Sequence, residues 1–136
     1  MTTMDISIAA PRSWTYWLGW VLSGLAIAFL VMDGMMKLLM LDIVISSTIE
    51  LGYPVESIRI IGTIVLVATL LYAVPRTAML GAVLLTALLG GAVATHLRIF
   101  SPLFSHILFG VYLGLFVWGG LWLRDARVRA LLPFRG

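Results

Sequence analysis

The chain has 136 residues, 62% of them hydrophobic and 11% charged, with a net charge of +3 from eight arginines and one lysine against six acids. A soluble domain is roughly 45–50% apolar and about 25% charged, so this chain has more apolar surface than a soluble fold hides, and lipid must solvate it. The arginines punctuate apolar runs instead of forming one basic face, which argues against nucleic acid as a partner. The absence of cysteine excludes disulfides, Cys-ligated metals, thiolate catalysis and covalent c-type haem.

A crossing helix needs roughly 20 apolar residues, which gives about four spans and no separate soluble domain. The expected fold is all-α: one integral membrane domain, residues 1–136, built as a four-helix bundle. The expected spans are residues 14–41, 55–74, 77–98 and 103–123, followed by a basic tail over 124–136.

The first sixteen residues are mixed in character and include Pro11 and Arg12. Trp14, Tyr16, Trp17 and Trp20 then mark the entry of the first helix, because Trp and Tyr favour the headgroup level. The apolar run that follows is longer than a signal-peptide core and has no small-x-small cleavage site after it, so it reads as a retained span. It continues through Asp33 and Lys37 to about Leu41.

Residues 42–54 mix β-branched, hydroxyl and acidic residues and close on Gly52, Tyr53 and Pro54. Gly and Pro punctuate strongly, and the stretch reads as a short interfacial helix, a re-entrant turn or a plain loop. The uncharged portion of the second span lies between Arg59 and Arg76, whose long side chains snorkel outward, and Pro75 ends the helix. The third carries Gly90 and Gly91 late, where small residues let helices approach closely. Ser101-Pro102 makes the next turn. The fourth contains Gly110-x-x-x-Gly114, for which packing inside the bundle is the expected use and dimerisation the alternative.

Four spans place both termini on one side, together with Arg12, Arg76, Arg124, Arg127, Arg129 and Arg135. This Lys/Arg excess predicts cytoplasmic termini. The opposite, outer layer then holds Asp33, Lys37, Glu56, Arg59, His96, Arg98 and His106. At about 1.5 Å per residue, Asp33 lies roughly 24 Å along its helix from Trp17. Asp33 and Lys37 are four apart and share a helix face. Ionisable groups inside spans face a bundle interior or a wet cavity, which makes Asp33, Lys37 and His96 the candidate ligand-binding or proton-relay residues. Each has a structural alternative: an ion pair that holds the first helix in register, and an interhelical hydrogen bond for His96. Glu56, Arg59, Arg98 and His106 also read as interfacial residues in water and headgroups.

The segments "DGMMKLL", "LGYPVESIRIIG", "VPRTAMLGAVLLTALLGGAVATHLRI" and "RDARVRALLP", in this order and spacing, resemble the DoxX-like membrane proteins, small four-span proteins of bacteria. Gly34, Lys37, Gly52, Tyr53, Pro54, Pro75, Arg76, Gly81, Gly90, Gly91, Ala92, His96 and Arg98 carry the likeness. It implies a four-helix membrane bundle in the bacterial cytoplasmic (inner) membrane. Some relatives resemble the small subunits of a thiosulfate:quinone oxidoreductase, and others associate with membrane redox or oxidative-stress systems. Most have no assigned activity, so the resemblance does not make this chain an enzyme.

The expected function is an accessory protein of membrane redox metabolism, with a quinone or lipid bound in the outer layer. Its expected partners are the bilayer and a membrane oxidoreductase or further copies of itself. An assembly subunit without its own ligand is the alternative, followed by a small transporter. A bis-histidine haem on His96 and His106 is a remote further reading. No residue set for catalysis or for a metal is expected: HExxH and Walker A are absent, as is G-x-S-x-G.

Overall fold

The computed structural model describes residues 13–131, and these are helical apart from short turns. Pro11, Arg12 and Arg135 lie outside the described residues. Helix α1 spans Trp14–Leu38, α2 Asp42–Glu50, α3 Ser57–Ala73, α4 Ala78–Arg98, α5 Phe109–Arg124 and α6 Ala126–Leu131. A π-helical turn over Leu103–Ile107 leads into α5. No strand occurs among the described residues.

Helices α1, α4 and the continuous segment Leu103–Arg124 are long and apolar enough to cross a membrane, while α3 is a shorter apolar helix of 17 residues. The four long helices pack in a ring: α1 lies against α3 and α5, and α4 against the same two. Helices α1 and α4 are therefore diagonal. The outward faces of all four helices carry large apolar side chains such as Val21, Leu25, Ile64, Leu70, Val83 and Leu115, all at least half exposed. A face of this kind needs lipid around it.

Lipid gives helices no hydrophobic reason to associate, so close packing of small residues and interhelical hydrogen bonds must hold them. The buried stripe of α1 is Gly19, Ser23, Ala26, Leu30 and Gly34, spaced three or four apart as one helix face requires. A side chain on Gly19 would meet the Gly120 carbonyl oxygen of α5 at 2.7 Å, and one on Gly34 would meet Leu66 of α3 at 2.6 Å. Gly81 of α4 faces the backbone of Tyr72 on α3 with no room for a methyl group. Gly110 of the GxxxG pair packs inside the ring, where a side chain would meet Val93 at 2.8 Å and the Leu89 carbonyl oxygen at 3.0 Å.

Helix α1 ends at Leu38, earlier than the apolar run suggests, because Met40 takes a left-handed φ of 56° and reverses the chain into α2. Residues 42–50 form a helix, with Asp42 in its first turn, where a carboxylate complements the helix dipole. Only Val44 and Thr48 of α2 are buried, and it touches α3. Val74 is extended ahead of Pro75 and ends α3, as the ring of a following proline demands. The start of the basic tail is itself helical: α6 buries Val128, and Arg129 Nη1 donates to the carbonyl oxygens of Trp122 and Leu123 at 2.7 and 2.9 Å, closing the end of α5.

Candidate functional site

The ring has two distinct ends. Asp33, Lys37, Glu56, Arg59, His96, Arg98 and His106 all lie at the end that α2 covers, since α1 and α4 finish there and α3 and α5 begin there. The backbone irregularities collect at the same end. Met40 and Phe100 hold positive φ values of 56° and 58°, Gly52 holds +91°, and the π-helical turn precedes α5. A left-handed conformation costs a side-chain-bearing residue about 1–2 kcal/mol. Strain and π-turns of this kind gather at functional sites.

Lys37 Nζ donates to Asp33 Oδ2 at 2.6 Å, with the two side chains 19% and 34% exposed. Both residues extend the buried stripe through Ala26 and Leu30, at the helical spacings of three and four. Lys37 Cβ stands 2.8 Å from where a side chain on Gly62 of α3 would begin. Lys37 therefore packs against α3, and Asp33 stays partly exposed beside it. One turn below Asp33 on the same side, the Phe29 ring packs on Phe109 of α5 with centroids 5.0 Å apart. An aromatic contact thus forms an apolar floor beneath the charged layer.

His96 continues the buried stripe of α4 beyond Leu85 and Leu89. Its ring meets that of His106 edge-on, with centroids 5.5 Å apart. His96 Nδ1 lies 3.0 Å from Ser101 Oγ, and His106 Nδ1 lies 2.7 Å from Ser105 Oγ. Each serine fixes one nitrogen and leaves Nε2 of its histidine without a protein partner among the described residues. The rings touch, so no porphyrin plane fits between them in this arrangement. Among the described residues, no three His, Asp or Glu side chains converge on a point that could hold a metal ion. The Asp33–Lys37 and His96–His106 pairs are thus two separate dyads at the same end of the ring, one on α1 and one between α4 and the π-helical turn.

The segment after α2 lies across this end. Tyr53 Oη is 2.9 Å from Thr95 Oγ1, and an Arg98 Nη2–H donates to the Leu51 carbonyl oxygen. Arg59 Nε donates to the Leu38 carbonyl oxygen at 3.3 Å, closing the end of α1. Arg59 and Arg98 are therefore engaged by a helix end and a turn, a role that neither the ligand-layer nor the headgroup expectation named. Glu56 is exposed and has no ion-pair partner among the described residues.

A second polar cluster occupies the other end, and the sequence patterns do not reveal it. Arg124 Nε donates to Ser23 Oγ at 3.1 Å, the Ser23 hydroxyl lies 2.7 Å from Tyr72 Oη, and Tyr72 O–H donates to the Val117 carbonyl oxygen at 2.6 Å. Tyr72 spends its proton on Val117, so Ser23 must donate to Tyr72. One directed chain then joins α1, α3 and α5. Ser23 and Tyr72 have no exposed surface, and Arg124 stacks over Trp20 at 3.9 Å. The available signal was the Gly19–Ser23–Ala26 spacing, which marks a close helix contact without naming the partner.

Apolar helices in a ring, with its ionisable side chains gathered toward its two ends, define an all-helical multi-pass membrane protein. This chain belongs to the DoxX-like family, whose model matches residues 21–120. The matched stretch takes in both dyads and ends four residues before Arg124. No curated protein and no solved structure matches the chain.

Proposed function

We propose that this protein binds a lipid-soluble ligand with a carbonyl-bearing head group, of the quinone class, at the α2-covered end, as an accessory of membrane redox metabolism. The observation that carries the reading is the Asp33–Lys37 pair, a 2.6 Å contact above the Phe29–Phe109 floor. An ionisable pair within a span is expensive, and such pairs line ligand or proton paths. The chain's own groups fit such a head group: Lys37 Nζ and the Nε2 position of His96 or His106 are donors for its oxygens, and Asp33 is a carboxylate able to hold a proton beside it. A quinone supplies two-electron chemistry when bound. The residues here would bind and orient it, and no redox step is assigned to them.

In this reading all four long helices cross the bacterial inner membrane, with the termini cytoplasmic. Helix α3, at about 26 Å, is short of the roughly 30 Å core, and Arg59 and Arg76 at its ends snorkel to make up the difference. The test is extraction of the protein in mild detergent and mass spectrometry of its lipids. Wild type carries quinone or takes up an added short-chain quinone, and Lys37→Ala and His96→Ala lose it. Wild-type protein that neither carries nor takes up quinone would refute the reading.

A second reading, an assembly subunit docking on an oxidoreductase or on further copies of itself, is favoured by an outward apolar groove of about 490 Å³ between α3 and α4, lined by Ile64, Val67, Leu84, Ala87 and Leu88. Co-purification of a stoichiometric partner, lost when Ala87 is changed to Trp, tests it.

A further inference from the structure

We infer that Arg124 and Trp20 form a binding site for the phosphate group of an anionic phospholipid, at the end of the ring opposite the two dyads. Arg124 is the last residue of α5 and of the 22-residue apolar segment Leu103–Arg124. Such a segment is about 33 Å long, so its end reaches the headgroup level of a bilayer.

Among the described residues no carboxylate pairs with the guanidinium. Its Nε is committed to Ser23, and its planar face lies on the Trp20 ring at 3.9 Å, with the Tyr72 ring at 5.5 Å on a further side. The neighbouring carboxylate, Asp125, is engaged by Arg127 at 3.1 Å. The two ion pairs among the described residues are Asp125–Arg127 and Asp33–Lys37, and Arg124 belongs to neither. Arg124 Nη2 is buried and has no hydrogen-bond acceptor among the described residues. A buried donor left without an acceptor is costly, and more so on a charged group.

A phosphate oxygen at the partly exposed Arg124 side chain supplies the negative charge, and it becomes the acceptor for Nη2 once the groups that cover that nitrogen move aside. The guanidinium fork matches phosphate geometry better than an ammonium does. Basic side chains between helix ends beside aromatic residues are suited to phospholipid head groups. The ring stack and the Ser23 bond fix the fork before a ligand arrives, so little side-chain entropy is lost on binding. The remaining cations at this end are differently placed: Arg127 is tied to Asp125, Arg129 to the carbonyl oxygens that end α5, and Arg76 is exposed in the α3–α4 turn.

The test uses the full chain, purified in mild detergent and stripped of lipid, with native mass spectrometry during titration with phosphatidylglycerol or phosphatidylcholine. One phosphatidylglycerol should bind at least about ten-fold more tightly than phosphatidylcholine, a difference of ~1.4 kcal/mol. Arg124→Gln should bring the two lipids to equal, weak binding. Arg76→Gln, which removes an exposed charge at the same end and leaves the Arg124 guanidinium, its stack and its Ser23 bond in place, should stay within about two-fold of wild type. If Arg124→Gln fails to fold, Arg124→Lys serves in its place: it keeps the charge, loses the fork, and should weaken phosphatidylglycerol at least about three-fold. Inorganic phosphate at tens of millimolar should not displace the lipid, and displacement would assign the site to free phosphate instead. Equal affinity of wild type for the two lipids, or wild-type affinity in both Arg124 variants, overturns the inference.

Discussion

Tyr72 and Ser23, 49 residues apart in sequence and both without exposed surface, share a 2.7 Å hydrogen bond between α3 and α1. The bond is one link of a chain that starts at the Arg124 guanidinium and ends at the Val117 carbonyl oxygen. It satisfies both hydroxyls, each donating once and accepting once. Hydroxyls at this depth have no water to fall back on.

Tyr72→Phe removes the middle link, leaving the Ser23 proton without its acceptor and taking the Tyr72 donor from Val117. The expected loss is about 1–3 kcal/mol, read as a lower unfolding temperature in detergent. Ser23→Ala should cost a similar amount, and the double variant should cost clearly less than the two added together, because the residues share one network. Strict additivity would show that the chain is not a unit.

Lys37→Ala leaves Asp33 charged on α1 without its partner. The pair is partly exposed, so the full penalty of a buried orphan charge is reduced, and about 1–3 kcal/mol of destabilisation is expected. Replacing both members, with Asp33→Asn and Lys37→Met, should restore most of the stability while abolishing ligand uptake. A double variant that still takes up quinone would remove this pair from the binding site.

Gly110→Ala forces a methyl group toward Val93 and the Leu89 carbonyl oxygen, whereas one on Gly114 meets only Leu89 Cδ1 at 4.0 Å. The first substitution should lower the unfolding temperature and the second should leave it nearly unchanged. Neither should alter the oligomeric state measured by light scattering with detergent correction. The sequence motif alone treats the two glycines alike.

Asp125 stands just ahead of α6 and binds Arg127 through both carboxylate oxygens, at 3.1 and 3.2 Å. These hydrogen bonds hold its carboxyl below the ordinary carboxylate range, and burial only partly opposes them. A carboxyl whose folded pKa is depressed stabilises fully above its unfolded pKa and loses that contribution as the pH falls through the folded value. The docking of α6 should therefore be unchanged at neutral pH and loosen only in acid, below the ordinary carboxylate range. Hydrogen exchange of residues 126–131 measures this, and Asp125→Asn should exchange at neutral pH as wild type does in acid.

The architecture was legible where the physics is local. Apolar length, the Trp14–Trp20 cluster and Pro75 marked helices and their ends, and the spacing of Asp33 and Lys37 implied their contact. Counting residues along α4 and α5 also placed His96 and His106 at one height. The Ser23–Tyr72–Arg124 chain was hidden because its members are distant in sequence and individually unremarkable in a span: Ser23 resembles a small lipid-tolerant residue and Arg124 a topological charge. The close of α1 was missed for a different reason, since its apolar run continues past Met40 while the backbone turns there. Composition carries no sign of a left-handed φ at a methionine. The helical ring around diagonal α1 and α4 likewise depends on long-range packing that no local pattern encodes.

Helix α1 finds much of its packing on α5, the fourth of the long helices to be made. Gly19 meets Gly120, and Ser23 meets Arg124 across 101 positions of chain. During biogenesis α1 must therefore wait in the bilayer, its serine unmatched and its glycine groove filled by lipid, until translation delivers α5. A nascent chain halted after α4 would present that unfinished seam to quality-control proteases, so shortening this protein from its carboxyl side should be punished out of proportion to the number of residues lost.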